Sequence, residues 1–94
     1  MYASTRMYQG ITDTQEVARR VREGFVPLVS SIEGFVGYYF IDAGGGVMCS
    51  TSVFSDKAGA EASDAKAADW ARDTLADLVF DPPAITEGEV VASG

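Results

Sequence analysis

Aromatic and β-branched side chains are mixed with polar ones along residues 2–10, and the stretch stops at a glycine, Gly10. This composition predicts a first β-strand. From Asp13 onward the apolar spacing changes to three and four residues, as on one face of a helix. Asp13 is placed to cap that helix, with Glu16 in its first turn. The recurring apolar positions are Val17, Val21, Phe25, Leu28 and Ile32.

Pro27 falls inside this helical pattern, where its ring and its missing N–H predict a bend. Two apolar stretches follow, 35–42 and 47–54, and the glycine-rich segment 43–46 between them predicts a hairpin. An alanine-rich second helix is expected from Ser55 or Asp56 to about Val79, and a last strand over 84–92. The element order is βαββαβ. It predicts a ferredoxin-like α+β domain spanning 1–94, with two helices on one face of a four-stranded antiparallel sheet.

The second predicted strand is apolar on both faces. Simple alternation puts one set of large side chains on one face and a second set on the other, namely Phe35, Tyr39 and Ile41 against Val36, Tyr38 and Phe40. Two helices cover only one face of a sheet. We therefore expect a second copy of the chain to cover the other face, giving a two-fold homodimer.

Composition excludes several classes of function. Seven Lys and Arg against fourteen Asp and Glu give a net charge of −7, which disfavours nucleic acid as a partner. The chain has no histidine and one cysteine, so Ser-His-Asp and Cys-His catalysis and Cys/His zinc sites are excluded. No leader-like or membrane-spanning apolar run is present, and the lone Cys49 cannot form an internal disulfide, so a cytoplasmic location is expected.

Four segments carry a resemblance to a known family. They are 16–28, the stretch Ile-Glu-Gly-Phe-Val-Gly-Tyr-Tyr at 32–39, Ser-Thr-Ser-Val-Phe at 50–54 and Ala-Asp-Trp at 68–70. In these segments the chain resembles the small antibiotic-biosynthesis-monooxygenase-like domains of actinobacteria, within the dimeric α+β barrel superfamily. The resemblance implies a homodimer in which two sheets pack together as a barrel.

The resemblance also bears on activity. Haem-degrading members of the superfamily use a histidine on the second helix with a nearby asparagine and tryptophan, and this chain offers only Trp70 of the three. It is more similar to the cofactor-independent monooxygenases, which oxidise phenolic rings with molecular oxygen in a pocket between sheet and helices. The resemblance therefore implies a small aromatic ligand and no cofactor.

Two residues of the second helix are candidates for catalysis. Trp70 lies at the edge of the apolar stripe, where it either packs the thin alanine-rich helix or forms a flat wall for an aromatic ligand. Asp64 interrupts the stripe with a carboxylate. It either touches water at the end of the sheet or lies in the pocket, where it would accept a phenolic proton near neutral pH.

Three residues of the strands are candidates for binding the ligand. Arg6 could hold a phenolate or carboxylate from the sheet floor, although a salt bridge to Glu87 or Glu89 across the strands is the more ordinary arrangement. Tyr38 and Tyr39 lie on opposite faces, so at most one can line a helix-side pocket. Core packing is the default for both.

Two hypotheses of function remain open. The first is a cofactor-free oxygenase with an aromatic-ligand pocket, and the second is a non-catalytic dimer that binds a ligand or serves a structural role. A cavity with converging polar groups favours the first, whereas an interior filled by the side chains of Phe25, Phe35, Phe40 and Leu75 favours the second.

Overall fold

The computed structural model describes residues 1–94 and has the predicted order of elements. Strand β1 spans Tyr2–Tyr8, β2 Phe35–Gly44, β3 Val47–Phe54 and β4 Ala84–Glu89. A first helical segment runs from Thr14 to Ser30 in three parts, α1 (Thr14–Arg20), a π-helical turn (Val21–Phe25) and α2 (Val26–Ser30). Helix α3 spans Lys57–Thr74. The strands form one antiparallel sheet in the order β2-β3-β1-β4, so the ferredoxin-like α+β prediction is confirmed.

Both helix starts are set by aspartates. The Asp13 carboxylate accepts the Glu16 N–H at 3.1 Å, and the Asp56 carboxylate accepts the Gly59 N–H at 3.0 Å. Each satisfies a backbone donor that has no partner within its helix. Helix α1 therefore begins directly after the predicted residue.

The disturbance expected at Pro27 takes the form of a change in hydrogen-bond register. The Val26 N–H donates to the Val21 carbonyl, five residues back instead of four. Proline in an α-helix clashes with the carbonyl four residues earlier, and the wider π turn relieves that clash. The helix continues through Pro27 to Ser30.

The core lies between the helices and one face of the sheet. Inward side chains of β3 alternate with partly exposed ones, and Met48 and Phe54 are fully buried. They meet apolar residues of the helices, among which Val17, Val29 and Ala60 are at most 1% exposed. This packing fixes which strand residues face the helices.

The predicted face of Phe35 is wrong. The β2–β3 register shifts between Phe35 and Gly37, which places a β-bulge at Val36. One extra residue moves Phe35 to the same face as Tyr38 and Phe40, where its ring packs edge-on against Phe54 with centroids 5.9 Å apart. Val36 instead joins the exposed residues of β2.

Helix α3 ends earlier than predicted, at Thr74 instead of about Val79, and β4 ends at Glu89 instead of residue 92. Arg20 on α1 explains the helix end, since its Nη1 donates to the Thr74 carbonyl at 2.8 Å and pairs with Asp77. The guanidinium thus binds a carbonyl that has no partner within the helix.

The face of the sheet opposite the helices is apolar and uncovered. Its exposed side chains include Val36 (53% exposed), Tyr39 (68%) and Ile41 (50%) on β2, and Met7 (37%) on β1. No helix of the structure is both long enough and apolar enough to cross a bilayer.

Candidate functional site

A cleft lies between the first helical segment, α3 and the middle of the sheet. Most of its lining is apolar, and polar groups are concentrated on the sheet side. The lining residues are Arg6, Tyr8, Val17, Val21, Phe25, Tyr38, Phe40, Ser50, Ser52, Ser63, Asp64, Ala67, Trp70, Ala71, Leu75 and Val79. An apolar cleft with a few converging polar groups is the usual form of a small-molecule site.

The floor of the cleft holds a buried cation with one charged partner. Arg6 is 7% exposed, and its Nη1 lies 3.5 Å from Asp64 Oδ1 and 3.3 Å from the Asp64 carbonyl oxygen. The same carboxylate oxygen accepts the Ser4 hydroxyl at 2.6 Å. A charge this deep requires a partner, and Asp64 supplies it across the gap between sheet and helix.

Two tyrosine hydroxyls extend this polar floor. Arg6 Nε donates to the Tyr8 hydroxyl at 3.2 Å, and Tyr8 is 7% exposed. Burial raises the pKa of Tyr38 well above its ordinary value; the nearby Tyr8 raises it further, while Ser50 and Arg6 act in the opposite direction. Tyr38 is therefore a neutral donor at physiological pH. The floor presents O–H and guanidinium donors from β1 and β2 to the same space.

Three aromatic rings form one wall of the cleft. The Phe25 ring is 5.4 Å from Tyr38 and 5.3 Å from Trp70, centroid to centroid. Trp70 is half-buried and lies against the π turn at Gly24, where a methyl group would come within 3.1 Å of the indole Cζ2. Glycine at this position lets the indole bridge from α3 to the first helical segment.

Arg20 links helix α1 to the C-terminal end of helix α3, beside the cleft. Besides its bonds to Thr74 and Asp77, its Nε donates to Glu16 Oε2 at 2.8 Å. Hydrogen bonds from Arg19 first, and then from Arg20, hold the pKa of Glu16 at about 2. The end of α3 is thereby tied to α1.

The structure places four of the five predicted site residues at the cleft, namely Arg6, Tyr38, Asp64 and Trp70. Tyr39 is the exception, because alternation along β2 turns it to the uncovered face, and it is removed from this group. The predicted salt bridge from Arg6 to Glu87 or Glu89 is also wrong, since the partner of Arg6 is Asp64. Tyr8 is a cleft residue that was not predicted from the sequence; its spacing of two from Arg6 on a strand is the signal that places both on one face.

The cleft is narrow. The volume open to the centre of a water molecule is about 20 Å³, room for about one water. A second, open groove has a volume of about 210 Å³, and its lining includes Tyr38, Phe40 and Arg22. A ring-sized ligand therefore enters the cleft only if lining side chains move. No group of three or more Cys, Asp or Glu side chains is arranged to hold a metal ion.

Several solved structures share this fold. A protein of unknown function from Nitrosomonas europaea superposes with a TM-score of 0.79 at 22% identity, over 99% of this chain and 91% of that one. A second Nitrosomonas europaea protein, assigned as an antibiotic biosynthesis monooxygenase, gives a TM-score of 0.76 at 17% identity, over 98% and 100% of the two chains. A monooxygenase from Streptomyces coelicolor, solved in complex with the ligand nanaomycin D, gives 0.69 at 14% identity, over 98% and 92%.

These likenesses show that the chain has the fold of the antibiotic biosynthesis monooxygenase structures. No family model matches the sequence, and no curated protein matches it. Other structures with the same fold come from Deinococcus, Chloroflexus and the archaeal genus Methanosarcina, so the fold extends beyond the actinobacteria.

Proposed function

We propose that this protein is a cytoplasmic, homodimeric, antibiotic-biosynthesis-monooxygenase-like enzyme that binds a phenolic aromatic compound and oxidises it with molecular oxygen, without a cofactor. One observation carries the proposal: a buried Arg6 that pairs with the partly buried Asp64 at the floor of a cleft whose wall is aromatic. The shared fold supports it, because structures of that fold include monooxygenases.

Each side of the cleft has a role in this proposal. Arg6, with the Tyr8 hydroxyl beside it, binds the phenolic oxygen as negative charge develops there. Asp64 accepts the phenolic proton, since its carboxylate is the base at the floor. Trp70 and Tyr38 flank the ring, and the apolar lining keeps water from the activated ring while it reacts with oxygen.

The homodimer part of the proposal rests on the uncovered face of the sheet. Val36, Tyr39, Ile41 and Met7 lie on it, all more than one-third exposed. Contiguous apolar surface of this kind marks an interaction site in water. A second copy of the same sheet is the occupant that we propose, because aligned sheets pack well face to face and a small domain gains stability from a shared interface.

Replacing Ile41 by lysine is expected to convert the dimer to monomers, because a two-fold interface would bury the new charge twice. Size-exclusion chromatography with light scattering should give twice the chain mass of 10.0 kDa for the wild type and the single mass for the variant. Ile85→Lys is the matched control: Ile85 is also 50% exposed but aligns with Arg6 on the helix side of β4. Monomeric wild type, or equal dissociation of both variants, would contradict the proposed interface.

A phenolic ligand is expected to raise the melting temperature, and Trp70→Ala to abolish most of that rise. At 100 times its Kd a ligand adds about 2.7 kcal/mol, or about 10–20 °C for a domain of this size. Differential scanning fluorimetry with 1-naphthol, anthrone and 1,8-dihydroxyanthraquinone is the measurement. Phe80→Ala is the control, since Phe80 is an aromatic residue that is 72% exposed and outside the cleft lining.

Oxygen uptake then separates catalysis from binding. For a bound anthrone, we expect oxygen consumption above the rate without protein, and a loss of about a hundredfold in Asp64→Asn, which keeps the shape but not the base. Binding without oxygen uptake would leave the alternative, a non-catalytic ligand-binding module of the same fold. No melting shift with any of the three compounds would overturn the aromatic-ligand proposal itself.

A further inference from the structure

The open groove beside the cleft is the larger of the two spaces. Its lining residues are Ala18, Val21, Arg22, Val26, Tyr38 and Phe40. Three of them, Val21, Tyr38 and Phe40, also line the cleft, so the groove and the cleft are neighbours. The groove has a volume of about 210 Å³ against about 20 Å³ for the cleft. Since one water needs roughly 10–15 Å³ of such volume, the groove has room for a ring system.

The surface of the groove is apolar except for one charged side chain. Tyr38 and Phe40 on β2 contribute aromatic rings, and both are partly buried against the core. Ala18 and Val26 on the first helical segment are partly buried as well. Flat apolar rings of a ligand pack well against such aromatic side chains. Arg22 is exposed and supplies the charge.

The positive charge of Arg22 has no acidic partner within the chain. Of the seven Lys and Arg side chains, Arg22 and Lys66 form no salt bridge. On a helix, an acid three or four residues away would pair with Arg22. The residues at those positions are Ala18, Arg19, Phe25 and Val26, and none is an acid. The adjacent Glu23 forms a salt bridge with Arg19 instead.

An unpaired guanidinium beside an apolar groove is complementary to a flat anion. Arginine binds a carboxylate through two parallel N–H donors, while Tyr38 and Phe40 are available to contact a ring. We propose that the groove is a second binding site, outside the cleft, for an aromatic compound that carries a carboxylate. This site goes beyond the function proposed above, in which Arg6 in the cleft binds a phenolic oxygen.

The groove stays open in the proposed homodimer. Its strand residues, Tyr38 and Phe40, lie on the helix side of the sheet, whereas the proposed interface is on the opposite face. A ligand in the groove contacts these two side chains, which the cleft also uses. The second site is therefore accessible from solvent and adjoins the first.

The test is an NMR titration of ¹⁵N-labelled protein with 2-naphthoate and with 2-naphthamide, which has the same rings and a neutral amide in place of the carboxylate. With 2-naphthoate, the backbone amide signals of Ala18, Arg22 and Val26 should shift. Arg22→Gln should raise the Kd of 2-naphthoate by about fivefold, the upper range for an exposed ion pair, and leave that of 2-naphthamide unchanged. Salt should weaken 2-naphthoate binding to the wild type more than to Arg22→Gln.

Three control variants locate the ligand. Lys66→Gln removes the other unpaired cation, which is exposed on α3, and should leave both Kd values unchanged. Trp70→Ala alters the cleft lining but not the groove lining, so 2-naphthoate should still bind. Ala18→Leu adds volume inside the groove with little change in helix propensity, and it should weaken binding of both compounds.

Arg22 is exposed, so Arg22→Gln is expected to fold as the wild type does. Equal affinity of the wild type for the two compounds, or equal losses in Arg22→Gln and Lys66→Gln, would overturn the carboxylate site. Loss of 2-naphthoate binding in Trp70→Ala would place the ligand in the cleft and overturn it as well, while supporting the cleft as a ligand site. Failure of 2-naphthoate to bind would overturn this inference alone, since the phenolic compounds test the proposed function separately.

Discussion

Asp64→Ala is expected to lower the free energy of unfolding by about 3 kcal/mol. The substitution leaves the Arg6 guanidinium, whose side chain is 8% exposed, without its counter-ion, and it removes the acceptor of the Ser4 hydroxyl. Removing one member of a fully buried pair costs about 3–5 kcal/mol. The lower end applies here because the Asp64 side chain is 21% exposed. Urea denaturation at one fixed protein concentration is the measurement, since dimerisation would make stability depend on concentration.

Two further variants show that this loss comes from the unpaired charge. Asp64→Asn keeps an acceptor for Ser4 and should cost less than Asp64→Ala. The double variant Arg6→Met with Asp64→Leu removes both charges and should recover to within about 1 kcal/mol of wild type. A loss below about 1 kcal/mol for Asp64→Ala would mean that the pair behaves as a surface salt bridge.

Phe54→Ala is expected to lower the free energy of unfolding by about 3–5 kcal/mol. Phe54 has no exposed surface, and its ring contacts both Phe35 and helix α3. At Gly59 on α3, an added methyl group would come within 2.7 Å of Phe54 Cδ1, which shows how closely the helix packs on this ring. Truncation to alanine leaves a cavity that neither the helix nor the sheet can fill without moving.

Thermal and urea unfolding measure this loss. Phe54→Leu, which keeps most of the volume, should cost about half as much or less. Val53→Ala is a neighbouring control, since Val53 is partly exposed on the uncovered face of the same strand. Equal losses for Phe54→Ala and Val53→Ala would contradict the assignment of the core to the helix side.

The fold was predictable from sequence because its signals are local. The capping aspartates Asp13 and Asp56, the change of apolar period after Gly10 and the glycine turn 43–46 each act within a few residues. The three glycines 44–46 all adopt positive φ, which only glycine does readily, so the hairpin was predictable from composition alone.

Predictions from the sequence were wrong where a strand contains one extra residue and where a residue distant along the chain binds a helix end. A bulge at Val36 reverses the face of Phe35, and no residue type there signals it, because valine fits a regular strand as well as a bulge. The early end of α3 depends on Arg20, which is 54 residues away from Thr74 along the chain. A prediction from helix propensity uses only the local sequence, so it places the end of α3 too far along the chain.

At the site, the sequence indicated which residues lie at the cleft more reliably than it indicated which of them pair with each other. Asp64 was singled out as a carboxylate on an apolar stripe, and the structure places it at the cleft. Its partner Arg6 is 58 residues away along the chain, and the sequence instead predicted a salt bridge from Arg6 to Glu87 or Glu89 on the neighbouring strand. Strand register alone does not tell whether Arg6 pairs with an acid on the neighbouring strand or with one on the helix that covers the sheet. The burial of Arg6 favours the helix, since Glu87 on the neighbouring strand is exposed.

The contact between Gly24 and Trp70 separates two properties of the cleft that usually change together. Its size depends on how far the indole leans over the π turn, where one added methyl group would lie 3.1 Å from the ring. Its charge depends on the floor, through Arg6 and Asp64. Under the function proposed above, replacing Gly24 by alanine or serine would therefore change which ring systems fit and leave the charged pair at the floor in place.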